Sequence, residues 1–320
     1  MSLTNDKTSF DSIEGLARYL SDNLANTPGT PYAVKLDVDD INGLDVALKT
    51  AKKYTSLDLS GSTLKAIPDD AFYDDGTDEG NVFLVGITLP GGVKSVGRWA
   101  FCKSGLESIT LPDGVESIGK CAFYGCTGLK SAALPGSVKG IGVEAFMRCT
   151  GLKSIVIPDR ADSIGDGAFY GCKNLESIVL PDSVKSIGDY AFMYCTSLKS
   201  VSIPASVKSI GVEAFAGCTS LQSAAIPDGV ESIETEVFAE CSGLASVSIG
   251  KSVAHIGKKS FYKCASLASV ALLGAIAPEG LDETAFDGLG DLRDKYLGGG
   301  VGTYTTAAPV GARSAWAKKS

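Results

Sequence analysis

Three groups of side chains in this chain could do chemistry: one histidine, nine cysteines and the acidic run DDGTDEG at 74–80. General acid–base work by His255 needs a partner held within hydrogen-bond reach. No such partner is specified nearby, and the slot His255 fills is held elsewhere by Ser117, Ser163, Ser186, Ser209 and Ser232. The histidine therefore reads as a substitution in a structural position. Asp74, Asp75, Asp78 and Glu79 are oxygen ligands of the kind calcium takes, yet their spacing is not that of an EF-hand, and a solvated loop is the plainer reading. Zinc and dithiol chemistry want C-x-x-C or Cys/His pairs, and neither occurs. GGGVG (298–302) lacks the Lys-Ser/Thr of a phosphate loop and reads as a turn; no G-x-S-x-G elbow is present. No cofactor is implied.

Spacing explains the cysteines better than reactivity does. Cys126, Cys149, Cys172, Cys195, Cys218, Cys241 and Cys264 recur every 23 residues. They recur because the whole chain recurs. Counting from the Ile-x-Ile/Leu-Pro step, a 22-residue unit starts at Ile87, and 23-residue units start at Ile109, Ala132, Ile155, Ile178, Val201, Ala224 and Val247. A degenerate unit precedes them (Leu57 to Phe72) and another follows (Val270 to Leu289). A period of this size marks a solenoid.

Each unit contains L-x-S-I-x-I-P, with Leu129, Ala132 and Leu134 as one inward set. Val184 to Gly188 alternates again as a second short strand, and Ala191, Phe192 and Cys195 fall on one side of a helical turn. One unit cannot bury enough apolar surface to offset the ordering of 23 residues, so the copies must stack. Stacked coils lie about 4.8 Å apart, inside the Cα range of a disulfide, but equivalent Cα–Cβ bonds run parallel. The seven cysteines therefore read as buried free thiols behaving as small hydrophobes. Cys102 and Cys121 stand outside this ladder; they could bond to each other, but an exposed free thiol at Cys121 is the favoured reading.

The ends need covers. Asp11 to Glu14 has the look of a capping box before an apolar stripe of Ile13, Leu16, Ala17, Leu20 and Leu24. TPGTP (27–31) is a turn, and a strand (32–38), a helix (44–52) and a strand (55–60) lead into the repeats. At the far end LRDKYL, GGGVG and TYTT read as extended pieces and a turn, with Trp316 over the last coil.

The repeated unit, as in LPDSVKSIGDYAFMYCTSLKS, resembles the BspA-like, or treponemal-type, leucine-rich repeats, and the resemblance covers at least residues 57–289. TSFDSIEGLARYL and the closing GTYTT and Trp316 also look like the flanks of treponemal members. One departure is that Gly114, Ser137, Ser183 and Ser206 stand where an asparagine ladder would run. The expected fold is α/β: a right-handed leucine-rich-repeat solenoid of about ten 23-residue coils with short parallel strands and helical turns. It is divided into an N-terminal α/β capping region (1–56), the solenoid (57–289) and a C-terminal capping segment (290–320). The resemblance implies a non-enzymatic protein-interaction module, adhesin-like, secreted or at the cell surface, binding host or cell-surface macromolecules.

Composition narrows the partners. The net charge of −8 offers no basic face for nucleic acid. No apolar run approaches the roughly 18 residues of a membrane span. The start MSLTNDKTSF lacks a secretory leader, so either a leader is absent from this chain or the protein is an intracellular scaffold. A monomer is expected. The variable slots mark the exterior, and Trp99, Tyr124, Met147, Tyr170, Tyr190, Met193, Tyr194 and Tyr262 form an aromatic and methionine stripe there. Such side chains are the usual anchors of protein interfaces, although they could equally seal the convex side. A charged row (Lys94, Glu116, Lys139, Asp162, Lys185, Lys208, Glu231) alternates down the stack and suits cross-coil pairing.

Overall fold

The computed structural model describes residues 8–307 and 309–319. Parallel pairing sets every coil directly on the one before. Ser154, Ser177 and Ser200 are register partners, as are Ser223, Ser246 and Ser269, each step being the 23-residue period of the sequence. The shortened first unit shows as a 22-residue step from Ser95 to Ser117. A second parallel ladder joins the two-residue strands such as Ser163–Ile164, Ser186–Ile187 and Ser209–Ile210. The stack amounts to about twelve coils, two more than the sequence suggested.

The extra coils come from the N-terminal flank. Strands β1 (Thr8–Phe10), β2 (Tyr32–Leu36) and β3 (Thr55–Asp58) pair in parallel with one another, and β3 pairs with the strand Leu84–Thr88. The connections carry α1 (Ile13–Asp22) and α2 (Leu44–Ala51), so the flank is the same stack with helices in place of turns. The α1 cap lies one residue beyond the expected box: Ser12 accepts from the Gly15 backbone N–H at 3.3 Å. Leu16 and Leu20 are fully buried, but the helix stops at Asp22 and Leu24 is exposed.

The segment expected to be a helical turn is instead a run of β-turns. In one coil the Ala191, Met193 and Cys195 N–H groups close turns onto Gly188, Tyr190 and Phe192. The intervening Tyr190, Phe192 and Tyr194 N–H groups donate to Val212, Ala214 and Ala216 of the next coil. Tyr190 and Tyr194 have φ of 57° and 59°, the positive values required at the third position of a type II turn. A helix would have kept all these donors inside one coil; the turns send every second one across and weld the stack.

Eight slots per coil point inward, as with Leu175, Ile178, Leu180, Val184, Ile187, Ala191, Phe192 and Cys195, each at most 5% exposed. The phenylalanines make a continuous column from Phe72 to Phe286, with centroids 5.1–5.7 Å apart and planes within 16° of parallel. Beside it runs the thiol ladder. All nine cysteines are free and buried. Each ladder thiol donates to the phenylalanine carbonyl of the preceding coil, as from Cys195 to Phe169 and Cys218 to Phe192, at 2.9–3.2 Å along the ladder. Serine hydroxyls do the work of the missing asparagines: Ser137, Ser183 and Ser206 donate to the Val115, Ala161 and Val184 carbonyls one coil back.

Cys121 departs from expectation. It is buried, because the Glu144 side chain of the next coil lies against it and accepts its S–H at 3.0 Å. Exposed ion pairs also link coils, including Glu116–Lys139 of the expected row and the unforeseen Glu107–Lys130 and Glu176–Lys199. Solvent screens them, so each adds little to stability.

The last coil is sealed by the helix Leu292–Gly299, where extended chain was expected; Leu292 and Tyr296 bury one face of it. Strands Gly302–Thr305 and Ala317–Lys318 then pair antiparallel along the open sheet edge. Trp316 is buried, and its indole N–H donates to the Leu289 carbonyl.

Two outcomes follow. Phe192→Ala opens a gap between Phe169 and Phe215 and should cost about 3–5 kcal/mol, read as a lower urea midpoint; a shift under about 1 kcal/mol would mean the column carries little. Burial pushes the ladder thiols up from 9.0, to about 12 for Cys172 and Cys241. Unfolded thiols then ionise while folded ones stay protonated, so this stabilisation is whole below pH 9 and is lost as pH rises from 9 towards 12. The urea midpoint should fall across that window, less steeply in Cys172→Ser/Cys241→Ser, and native thiols should resist a thiol reagent that labels all nine in denaturant.

Candidate functional site

The turn face carries the stripe, and its side chains are placed by the two positive-φ slots that flank each column phenylalanine. The first slot holds Trp99, Cys121, Glu144, Gly167, Tyr190, Glu213, Glu236 and Lys259; the second holds Lys103, Gly125, Arg148, Gly171, Tyr194, Gly217, Glu240 and Lys263. Most side chains in these slots are exposed or half-exposed, Cys121 being buried, while Tyr124, Met147, Tyr170, Met193 and Tyr262, between the phenylalanine and the second slot, lie half-buried.

The eight candidates fall into three groups. Trp99 stacks on Tyr73 at 5.3 Å and meets Tyr124 at 5.6 Å, so this end is a self-packed aromatic cluster. Tyr262 lies under two of the chain's own cations, Lys259 at 5.3 Å and Lys263 at 5.0 Å from the ring centre. Between these ends, Met147, Tyr170, Tyr190 and Met193 line one groove of about 540 Å³. Tyr170 also borders a second groove of about 530 Å³ with Tyr194, the two rings meeting edge to face at 5.7 Å. Tyr190 and Tyr194 are the most open, at 41% and 38% exposure.

Sequence reasoning missed the charge around these grooves. The first is rimmed by Glu144, Asp166, Asp189 and Glu213, with no basic side chain among its described lining residues. The second has Arg148 and Lys173 among threonines and no acid. One oxygen of Asp166 accepts the Asp189 N–H at 2.9 Å, and one of Asp189 accepts the Val212 N–H at 2.7 Å, so these two carboxylates also tie coils together. Burial, then the like charge of Glu236, raises the Glu213 carboxyl above its ordinary value. The signal was present in the slots: the acids come from four successive coils and meet only when the period is folded.

The other candidates stay apart from this surface. Asp74 and Glu79 belong to a small hairpin, Tyr73–Asp74 paired with Glu79–Gly80. The Asp74 carboxylate accepts from Thr77 Oγ1 and the Gly76 N–H, while Asp78 takes the Lys103 ammonium at 2.6 Å and the Tyr73 hydroxyl at 2.7 Å. Those donors hold both carboxyls below the usual range. Asp75 is exposed on the same loop. Among the described residues no three His, Cys, Asp or Glu side chains gather as a metal cage. His255 sits exposed in a two-residue strand, in register with Ser232. No helix among the described residues is long and apolar enough to cross a membrane.

Comparison with known proteins agrees with the repeat geometry. No curated protein matches the chain. Among solved structures, the leucine-rich-repeat protein of T. pallidum is 35% identical over 50% of this chain and 78% of its own, with a TM-score of 0.47. A leucine-rich cell surface protein of Faecalibacterium prausnitzii is 30% identical over 60% and 66%, with a TM-score of 0.39. A leucine-rich-repeat protein of Bacteroides ovatus is 25% identical over 74% and 78%, with a TM-score of 0.34. The BspA-type leucine-rich-repeat region matches residues 65–199 and 162–293, six copies in all. That family is one of protein-interaction modules, generally without enzymatic activity and typically at the surface of bacteria or secreted. With more than half its length in that match and its coils stacked in the same period, the chain belongs to the BspA-type leucine-rich-repeat family.

Proposed function

We propose that this chain is an adhesin-like repeat protein, displayed at the cell surface or secreted, that grips a protein of a host or a neighbouring cell with the tyrosine and methionine grooves of its turn face. The observation that carries the reading is the adjoining pair of grooves about Tyr170, with Tyr190 and Tyr194 standing open beside it. Large, stiff or adaptable side chains next to concave surface are where binding energy concentrates.

A second reading, a scaffold inside the cell, has the nine unpaired cysteines in its favour, since oxidising compartments pair exposed thiols. Burial answers that objection, because a thiol without solvent access and with a raised pKa is a poor target for oxidants. Protease shaving of intact cells that produce the native open reading frame separates the two: loss of the repeat region from unbroken cells supports display outside, and digestion only after lysis moves the protein inside. In a companion assay, Tyr190→Ala/Tyr194→Ala should lower adherence to immobilised extracellular-matrix protein by about tenfold or more, with the urea midpoint little changed. Unaltered adherence would remove the grooves from the contact.

A further inference from the structure

We propose that the groove between Met147 and Met193 receives a lysine or arginine side chain of the partner protein, the alkyl stem on the tyrosine and methionine floor and the charge against the carboxylate rim. This rests on reading the turn face as the interaction surface, and it names the chemistry recognised there.

The chain displays the same arrangement with its own cations four repeats away. Tyr262 occupies the slot of Tyr170, and the positive-φ slots on either side of it hold Lys259 and Lys263. Both ammonium groups lie over the Tyr262 ring, and Lys263 also pairs with Glu240 at 2.7 Å. Around Tyr170 the corresponding slots hold Gly167 and Gly171, at φ of 58° and 68°. The backbone takes the same turn, but the cations are missing. What remains is a tyrosine face, two methionines, four carboxylates and open volume.

Charge complementarity fixes the occupant. A purely apolar side chain would leave the rim carboxylates unpaired as it displaced their water, and an acidic one would be repelled. An amphipathic cation suits both parts of the groove, since its stem covers apolar surface while its head reaches the rim, and ammonium and guanidinium groups are drawn to the faces of aromatic rings. Glu213 lies half-buried on this rim with Glu236 near it, and burial and that like charge disfavour its charged form, so a cation placed there is welcome. Across the Tyr170–Tyr194 pair, Arg148 and Lys173 reverse the sign, so a second cation on the same segment is unwelcome there. The pair of grooves thus sets a direction along the partner.

The chain contains three methionines, and two of them, Met147 and Met193, line the groove, so methyl-labelled methionine reports on it directly. The probes are three seven-residue Gly/Ser peptides that differ only in a central lysine, norleucine or glutamate. The lysine peptide should shift both groove methyl resonances saturably, the norleucine peptide should bind about fivefold or more weakly, and the glutamate peptide should leave them in place. Glu213→Gln should weaken lysine binding by about threefold or more. Gly167→Lys, which gives the groove a cation of its own as Lys259 does for Tyr262, should abolish it while circular dichroism stays unchanged. Equal binding of norleucine and lysine, full lysine binding to Gly167→Lys, or no methyl shift with any peptide would each overturn cation recognition. The interaction face itself stands or falls separately, on the adherence of Tyr190→Ala/Tyr194→Ala.

Discussion

Every coil of this protein is completed by the next one. The turn face donates forward, as from Tyr190, Phe192 and Tyr194 to the coil of Val212, while the strand faces exchange bonds both ways, as from Leu111 forward to Ala133 and from Lys208 back to Lys185. The phenylalanine rings stack on the rings above and below, and the ladder thiols find their acceptors one coil back. A buried backbone polar group without a partner is costly, so no coil can be added, removed or lengthened without satisfying both faces of the cut. The constant 23-residue step follows from this. So do the two ends: helices fill the connections of the first coils, and a helix, two antiparallel strands and Trp316 close the last. The final edge strand, Ala317–Lys318, places a lysine where another sheet could otherwise add.

Much of this was legible because a repeat reports each slot many times over. Eight inward positions, the strand register and the free thiols all come from the period, since a residue type that returns every 23 positions must occupy one environment. The helical turn was misread because Ala191, Phe192 and Cys195 share a side in a helix and also in successive β-turns. The distinguishing signal was glycine: Gly125, Gly171 and Gly217 recur in the second positive-φ slot, where a helix interior would disfavour them. Cys121 was misplaced because its slot holds exposed or half-exposed side chains elsewhere. A thiol is short, and Glu144 from the next coil reaches over it. LRDKYL escaped because a helix outside the repeat has no second copy to vote for it; the four-residue step from Leu292 to Tyr296 was its one sign.

The grooves were less legible than the fold, for a reason built into repeat architecture. Asp166 and Asp189 share one slot, Glu144 and Glu213 share the next, and the four acids span residues 144 to 213. Read along the chain they are scattered. Read down a slot they are a block, with Arg98 and Lys120 before it and Lys258 and Lys259 after it. The sequence therefore encodes the surface in columns, and a site on a solenoid has to be sought by tabulating slots across coils.

The positive-φ slots show how a stack that tolerates so little change can still carry a variable surface. A non-glycine residue held in the left-handed region costs about 1–2 kcal/mol, and this chain bears that cost at Trp99, Glu144, Tyr190, Tyr194 and Glu213, among others. The coil cannot relax into a less strained conformation, because the same turn sends its N–H groups to the neighbouring coil and would forfeit several hydrogen bonds at once. Backbone conformation in these slots is thus fixed by stacking and is independent of the side chain. Glycine, lysine, glutamate and tyrosine all take the same pose there, differing in strain but not in direction. Substitution in such a slot changes what the face offers to a partner while leaving the coil's geometry in place, and Gly167 beside Tyr170 against Lys259 beside Tyr262 shows both ends of that range in one molecule.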